Sequence, residues 1–279
     1  MKYRWFFVSI LLVGNIFAWA NIYWQSPGDL KVYFLDVGQG DAIFIKSPTG
    51  RTMLIDGGPG KNILARVASV MPFGASSIDL LMESHPDTDH VGGLPDVASH
   101  FTVRGVIKPC IDSDNSYDQA LHKIAQEKHE TEMCAEPGET IDLGGEAKME
   151  ILYAGAGEYA DTNGASIVTR LVYGQTAFLF TGDATVKEEK YLEYTSSDKL
   201  RADVYKVSHH GSRESNDFDF IKTIGPKISV ISVGASNRYG HPHQEVLDLL
   251  AKNKSVILRT DQLGTIEIDS DGETIKLVK

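Results

Sequence analysis

Four groups able to hold a metal ion fall within six positions of the segment Ser84-His85-Pro86-Asp87-Thr88-Asp89-His90-Val91-Gly92-Gly93: His85, Asp87, Asp89 and His90. Two imidazoles and two carboxylates packed this closely repel one another or lose hydration unless a cation sits among them. The chemistry they point to is hydrolysis by metal-activated water. Three later segments add candidates. Thr181-Gly182-Asp183-Ala184 offers Asp183, a carboxylate able to bridge two ions with one oxygen each. Ser208-His209-His210-Gly211-Ser212-Arg213 brings two adjacent histidines, at least one of which should reach a crevice. Ser212 and Arg213 add donors suited to a phosphate oxygen. Tyr239-Gly240-His241-Pro242-His243 places His241 in a fixed backbone setting suited to a ligand or proton donor, while His243 reads as structural or exposed.

Each of these segments follows an apolar run that reads as a strand: 79–82, 176–180, 203–207 and 228–233. Loops at the carboxyl ends of strands present their side chains into a crevice, whereas a strand interior hides every second one. Further strands are expected over 32–35, 42–45, 53–55, 103–108, 148–153, 166–173, 255–258, 264–268 and 274–278. Helices are expected over 62–70, 94–99, 116–128, 186–194, 218–224 and 244–253. This mixture indicates a large α/β or α+β sandwich without a break into two domains. Leu54-Ile55-Asp56-Gly57-Gly58 and Leu179-Phe180-Thr181-Gly182-Asp183 end two strands in similar ways, a hint of two-fold duplication.

The 279 residues are 42% hydrophobic and 23% charged, a composition that supports a full core and excludes a disordered chain or a disulfide-dense mini-protein. Acidic residues number 38 against 27 basic ones, a net charge of −11, so this is not a general polyanion binder. Attraction for nucleic acid has to come from a local basic patch or from bound cations. Residues 1–24 carry Lys2 and Arg4 ahead of a nearly continuous apolar run, read as a signal anchor or a cleavable signal peptide with Ala18-Trp19-Ala20 as the cleavage site. Basic residues at its start place the N-terminus inside and the rest outside the cytoplasm, membrane-anchored by a single pass or secreted after cleavage. A linker is expected over 25–30 and one catalytic domain over 31–279. Cys110 and Cys134 either pair in an oxidising compartment or stay as separate buried thiols.

In chain order, His-x-Asp-x-Asp-His, Gly-Asp, His-His-Gly-Ser and Tyr-Gly-His-Pro resemble the metallo-β-lactamase superfamily. More closely they resemble the hydrolase domain that ends ComEC-type DNA-uptake competence proteins. Leu35-Asp36-Val37-Gly38-Gln39-Gly40-Asp41, Leu54-Ile55-Asp56-Gly57-Gly58 and Asn163-Gly164-Ala165-Ser166 match the same subgroup. The resemblance implies a four-layer αββα sandwich, here preceded by one N-terminal hydrophobic helix, with metals at the upper edge between two sheets. Carried over by motif, His85 and Asp87 would hold a first divalent ion, Asp89 and His90 a second, with Asp183 bridging and His241 as the last ligand. His209 in that last place is the alternative. Asp56 and Ser166 would orient the ligands from behind. Asp87 stands where the superfamily usually has histidine, and the histidine usual before Gly-Asp is lacking. A site richer in oxygen favours Mn²⁺ or Mg²⁺ beside Zn²⁺. The implied function is phosphodiester hydrolysis of DNA outside the cytoplasm, with Asp89 holding the attacking water and His209 or His210 protonating the leaving oxygen. Asn163, Ser212, Arg213 and Arg238 would contact substrate, and Lys206 would line the groove beside the two arginines. The implied partners are nucleic acid, the membrane and a DNA-uptake channel protein. Two other readings are a metallohydrolase of a lactone, thioester, β-lactam or small phosphodiester, and a non-catalytic membrane-tethered partner.

Overall fold

Side-chain alternation shows how the strands are shared between cores. In β1 (Leu30–Phe34), Val32 and Phe34 join one hydrophobic cluster and Tyr33 another, because successive side chains point to opposite faces. Both faces are covered, which explains a run without exposed residues. The computed structural model describes residues 28–60, 62–155 and 162–279. The hydrophobic segment expected over 1–24, and the first part of the expected linker, lie outside the described residues. Among those described, no helix is long and apolar enough to cross a membrane.

The first half of the chain continues with β2 (Ile43–Lys46), β3 (Thr52–Ile55), α1 (Asn62–Val70), β4 (Ser77–Met82), the single-turn α2 (Thr88–Val91), α3 (Leu94–His100), β5 (Thr102–Lys108), α4 (Ser116–Lys128) and β6 (Thr131–Cys134). The second half holds β7 (Thr140–Gly144), β8 (Ala147–Tyr153), β9 (Val168–Tyr173), β10 (Thr176–Phe180), α5 (Val186–Ser196), β11 (Val204–Lys206), α6 (Phe218–Ile224), β12 (Ile228–Ile231), α7 (Gln244–Lys252) and β13 (Val256–Arg259). The short α8 (Thr260–Leu263), β14 (Ile266–Ser270) and β15 (Ile275–Leu277) return to the first half. One sheet has the order β15-β14-β1-β2-β3-β4-β5-β6 and the other β13-β12-β11-β10-β9-β8-β7.

These sheets pack face to face through Val32, Phe34, Ile45, Met149, Leu171, Phe178 and Phe180. Helices α1, α3 and α4 cover the first sheet through Ile63, Val67, Leu94, Val97 and Leu121. Helices α5, α6 and α7 cover the second through Leu192, Phe220, Ile221, Val246 and Leu250. The result is the expected four-layer αββα sandwich. The two-fold hint in the strand ends has a topological counterpart. β3 pairs antiparallel with β2 and parallel with β4, and β10 pairs antiparallel with β9 and parallel with β11.

Two strands escape sequence reading. β6 is an edge strand, mostly exposed, and β7 ends the other sheet with Leu143 as its one buried residue. Neither has a run of buried positions strong enough to mark it. Of the two readings of the cysteines, the paired one holds: Cys110 and Cys134 form a disulfide that ties the loop after β5 to the end of β6.

Candidate metal centre

Asp56 leaves the end of β3 in the left-handed region, at φ 59°, and that turn aims its carboxylate sideways under the neighbouring strand exit. Its Oδ1 accepts from the Ser84 backbone N–H at 2.8 Å and its Oδ2 from the Ser84 hydroxyl at 2.6 Å. The same Oδ2 accepts from Nδ1 of His90 at 2.8 Å. Ser84, having given its proton to Asp56, accepts from Nδ1 of His85 at 3.0 Å. On the opposite sheet, Nδ1 of His210 donates to the Ser232 carbonyl at 2.9 Å. With these partners each ring, in its neutral form, keeps its proton on the outward nitrogen and turns a bare Nε2 to the crevice, the form a metal ligand needs.

Those inner atoms converge. Nε2 of His90 lies 3.3 Å from Oδ1 of Asp183, and Nε2 of His85 lies 3.9 Å from Oδ2 of Asp183. Nε2 of His210 is 3.5 Å from Asp183 Oδ2 and 3.4 Å from Asp89 Oδ2. The Asp183 backbone N–H donates to the Ser166 hydroxyl at 3.0 Å, which ties the two residues together. Nε2 of His85, His90 and His210, with Oδ1 of Asp183, are buried and have no hydrogen-bond partner. Orphaned buried acceptors cost about 1–3 kcal/mol each. Four of them facing one another fit a divalent cation. Within 4.8 Å, ligand atoms gather as His85–His90–Asp183, as Asp89–His90–His210 and as Asp41–Asp183–His210.

Electrostatics follow this packing. Burial alone would raise the Asp183 carboxyl, but His210 and His90 outweigh it and hold the group well below the usual carboxylate range. Burial likewise opposes charge on His90, yet Asp183 and Asp56 lift it well above an ordinary imidazole. His210 is pushed up to about 9 by Asp183 and Asp41 against the effect of burial. His85 is lowered, first by burial and then by His90.

The remaining sequence candidates lie around this centre. Oδ2 of Asp87 is 3.8 Å from Nε2 of His85, but its Oδ1 is taken by the Thr162 hydroxyl and the residue joins none of the tight groups among the described residues. Nε2 of His209 is 3.7 Å from Oδ2 of Asp183, at the mouth of the crevice. The His241 ring lies 5.6 Å from that of His209 and 6.4 Å from that of His210, one step further out. Burial, with His210 and His209 adding to it, lowers His241 to about 4. Among the described residues His210 joins the tight groups of ligand atoms, whereas His209 and His241 join none. The reason is the backbone: His209 and His210 are consecutive left-handed residues, at φ 48° and 52°, and this double twist turns His210 inward. Ser212 is buried and its hydroxyl accepts from the Glu214 N–H, facing its own loop. Arg213 and Arg238 are exposed at the rim, and Asn163 is half-buried in the 3-10 turn Thr162–Ala165. His243 is half-buried at the start of α7 and accepts from the Arg213 N–H, a structural part.

Sequence reasoning assigned no role to Asp41 and expected Lys206 to line a groove for DNA with Arg213 and Arg238; Lys206 is instead fully buried and cannot face a substrate. Nζ of Lys206 lies 2.5 Å from Oδ2 of Asp41, with both side chains buried below the histidines. A lysine in the otherwise apolar run 204–207 was the available signal, since a buried ammonium requires a partner. Gly40 carries Asp41 into place: its φ is +128°, and a Cβ there would overlap the Asp89 carbonyl oxygen, to which the Asp41 N–H donates at 3.1 Å.

The model of the family described as the metallo-beta-lactamase superfamily matches residues 35–235. ComE operon protein 3 of Bacillus subtilis is 30% identical over 262 residues, covering 87% of this chain and 33% of that protein. Competence protein ComA of Neisseria gonorrhoeae is 30% identical over 236 residues, covering 83% of this chain and 31% of that protein. The chain thus spans about a third of the length of these curated relatives. Among solved structures, the metallo-beta-lactamase fold protein YhfI from Bacillus subtilis superposes with a TM-score of 0.55 at 12% identity, covering 82% of this chain and 95% of that one. The segment matched by the family model contains most of both sheets and every residue of the histidine–carboxylate cluster, and the chain belongs to the metallo-beta-lactamase superfamily.

Proposed function

We propose that this metallohydrolase cleaves phosphodiester bonds of nucleic acid, DNA in preference to RNA, outside the cytoplasm and in the processing of incoming DNA. The observation that carries the proposal is the set of orphaned inner atoms on His85, His90, His210 and Asp183. Two divalent ions, Mn²⁺ or Zn²⁺ with Mg²⁺ as a further candidate, would be held by these four residues together with Asp89. Such ions supply an activated water near neutral pH and neutralise charge on a phosphoryl group.

The chain's own residues do the rest. Asp56 and Ser84 hold His85 and His90 in register, and Ser232 and Asp41 hold His210. His209, at the mouth and 3.7 Å from Asp183, is placed to give a proton to the leaving oxygen. Asp87 and His241 stand at the edge of the centre, where they act on the approach of substrate. Arg213 and Arg238 are exposed cations on the loops that carry the later histidines, and with Asn163 they would contact the substrate. The relative named competence protein ComA supports DNA as substrate and a DNA-uptake channel as partner. The disulfide supports an oxidising surrounding, and Lys2, Arg4 and the apolar run after them support a membrane tether with the domain outside.

The test is cleavage of labelled single-stranded DNA, duplex DNA and RNA by the full chain in Mn²⁺, Mg²⁺ and Zn²⁺, with nitrocefin and a thioester in parallel. We expect metal-dependent cleavage of DNA that Asp183→Ala abolishes while the circular dichroism spectrum is retained. A metal-loaded chain that opens nitrocefin or the thioester and leaves every phosphodiester intact overturns the proposal.

A further inference from the structure

We propose that Tyr239, with Arg238 beside it, is a stacking platform for a nucleobase of a single-stranded nucleic acid. The platform seats that base next to the reacting phosphate, and its placement rests on the phosphodiesterase reading above. An open pocket of about 430 Å³ adjoins Asp89 and is walled by Gln39, Thr88, Arg238 and Tyr239. It is continuous with the metal centre through Asp89, whose Oδ2 lies 3.4 Å from Nε2 of His210. A group in the pocket therefore sits against a residue that itself borders the cluster.

The Tyr239 ring is 49% exposed, an aromatic surface left in water at the edge of the crevice. It is not loose. The ring stacks on His241 at 5.6 Å between centroids and 23° between planes, and His241 in turn sits against His209. A chain of rings thus runs from the cluster to the pocket. The Arg238 guanidinium lies over the Tyr239 ring, 5.1 Å from its centroid, and Nη2 donates to the tyrosine oxygen at 3.0 Å. Planar guanidinium and planar base stack on the same kind of surface. An incoming base takes the place of the exposed Arg238, and the released guanidinium is free to pair with phosphate oxygens. Across the pocket, the Gln39 side-chain oxygen accepts from the Gly234 N–H at 3.2 Å, while its amide nitrogen has no hydrogen-bond partner.

Two physical points select the single strand. In a duplex both faces of a base are covered by its neighbours, so a protein ring can stack only on a base outside that stack. Also, with a net charge of −11 the chain as a whole repels a polyanion. Affinity then has to come from short-range contacts, and stacking on a neutral ring does not depend on the sign of the surrounding field.

The experiment titrates a phosphorothioate single strand carrying 2-aminopurine into the full chain in Mn²⁺ buffer, reading stacking as quenching of the 2-aminopurine emission. Cleavage of the unmodified strand is followed in parallel. Loss of one stacked base predicts a Kd raised roughly tenfold in Tyr239→Ala, with the quenching lost. Tyr239→Trp is expected to keep both, and the wild type to bind the same sequence more weakly as a duplex. Wild-type cleavage combined with binding and quenching indifferent to residue 239 overturns the platform and leaves the hydrolytic reading standing. Binding that follows the aromatic series in a chain that cleaves nothing overturns hydrolysis and leaves the platform. A chain that neither binds nor cleaves overturns both.

Discussion

Lys206 and Asp41 form an ion pair of 2.5 Å between Nζ and Oδ2, entirely buried beneath the histidine cluster. The other oxygen of Asp41 lies 3.4 Å from Nδ1 of His210, so the pair braces a proposed ligand from behind. Asp41 is near enough to Asp183 and His210 to be grouped with them, yet one of its oxygens already has a cation supplied by the chain itself. That occupancy separates a supporting carboxylate from a free ligand.

Removing one partner of a buried pair leaves an uncompensated charge, at a cost of about 3–5 kcal/mol. Lys206→Met is therefore expected to lower the free energy of unfolding by that amount, measured by urea titration. Adding Asp41→Asn neutralises the stranded carboxylate and is expected to recover part of the loss. A single variant as stable as the parent would remove the pair from the account of the site.

Metal uptake is expected to stabilise the chain, because the ligand groups are gathered only when it is folded. At a hundred times Kd, a ligand that binds only the native state adds about 2.7 kcal/mol, which for a domain of this size raises Tm by several degrees, roughly 5–10 °C. Scanning calorimetry with added Mn²⁺ or Zn²⁺ should show this rise, and a chelator should reverse it. Asp183→Ala should flatten the response. A rise of the same size in that variant would place the ions elsewhere.

Glu189, on α5, anchors the loop that carries the adjacent histidines: its carboxylate accepts from the Asn216 N–H at 2.7 Å and the Asp217 N–H at 2.8 Å. Burial pushes this carboxyl up from 4.5 to about 7, against those two donors. Between these values the folded chain keeps a proton that the unfolded chain has released. Stability from this group is thus greatest below pH 4.5, falls as pH rises through the window, and is flat above about 7. The total change is about 3 kcal/mol. Comparing the pH dependence of stability in Glu189→Gln with the parent isolates the effect: the difference between the two should slope over that window and level off above it. Parallel curves would show that the carboxyl titrates normally.

How much of this was legible in the sequence depended on whether the signal was local. The helices Asn62–Val70, Ser116–Lys128 and Phe218–Ile224 have the bounds expected of them. For the last two the reason lies at their ends. Asn115 caps the Tyr117 N–H, Asp217 caps the Asp219 N–H, and Gly225 closes the last helix at φ 61°. The loops that converge at the strand ends were legible too, because ligand-type residues recur after apolar runs. Depth within the crevice was not. Whether His209, His210 or His241 reaches the centre depends on a backbone twist that residue types do not announce. The pairing of Lys206 with Asp41 joins a strand of one sheet to the loop between β1 and β2 of the other, a relation that no local pattern records.

At positions 209 and 210 the backbone adopts angles that glycine takes freely and histidine resists, at a cost of order 1–3 kcal/mol each. The molecule therefore trades sturdiness for reach at this corner. Selection for heat resistance alone would favour glycine there and yield a tougher, inert protein, so a screen that ignores turnover would erase the feature that sets the crevice.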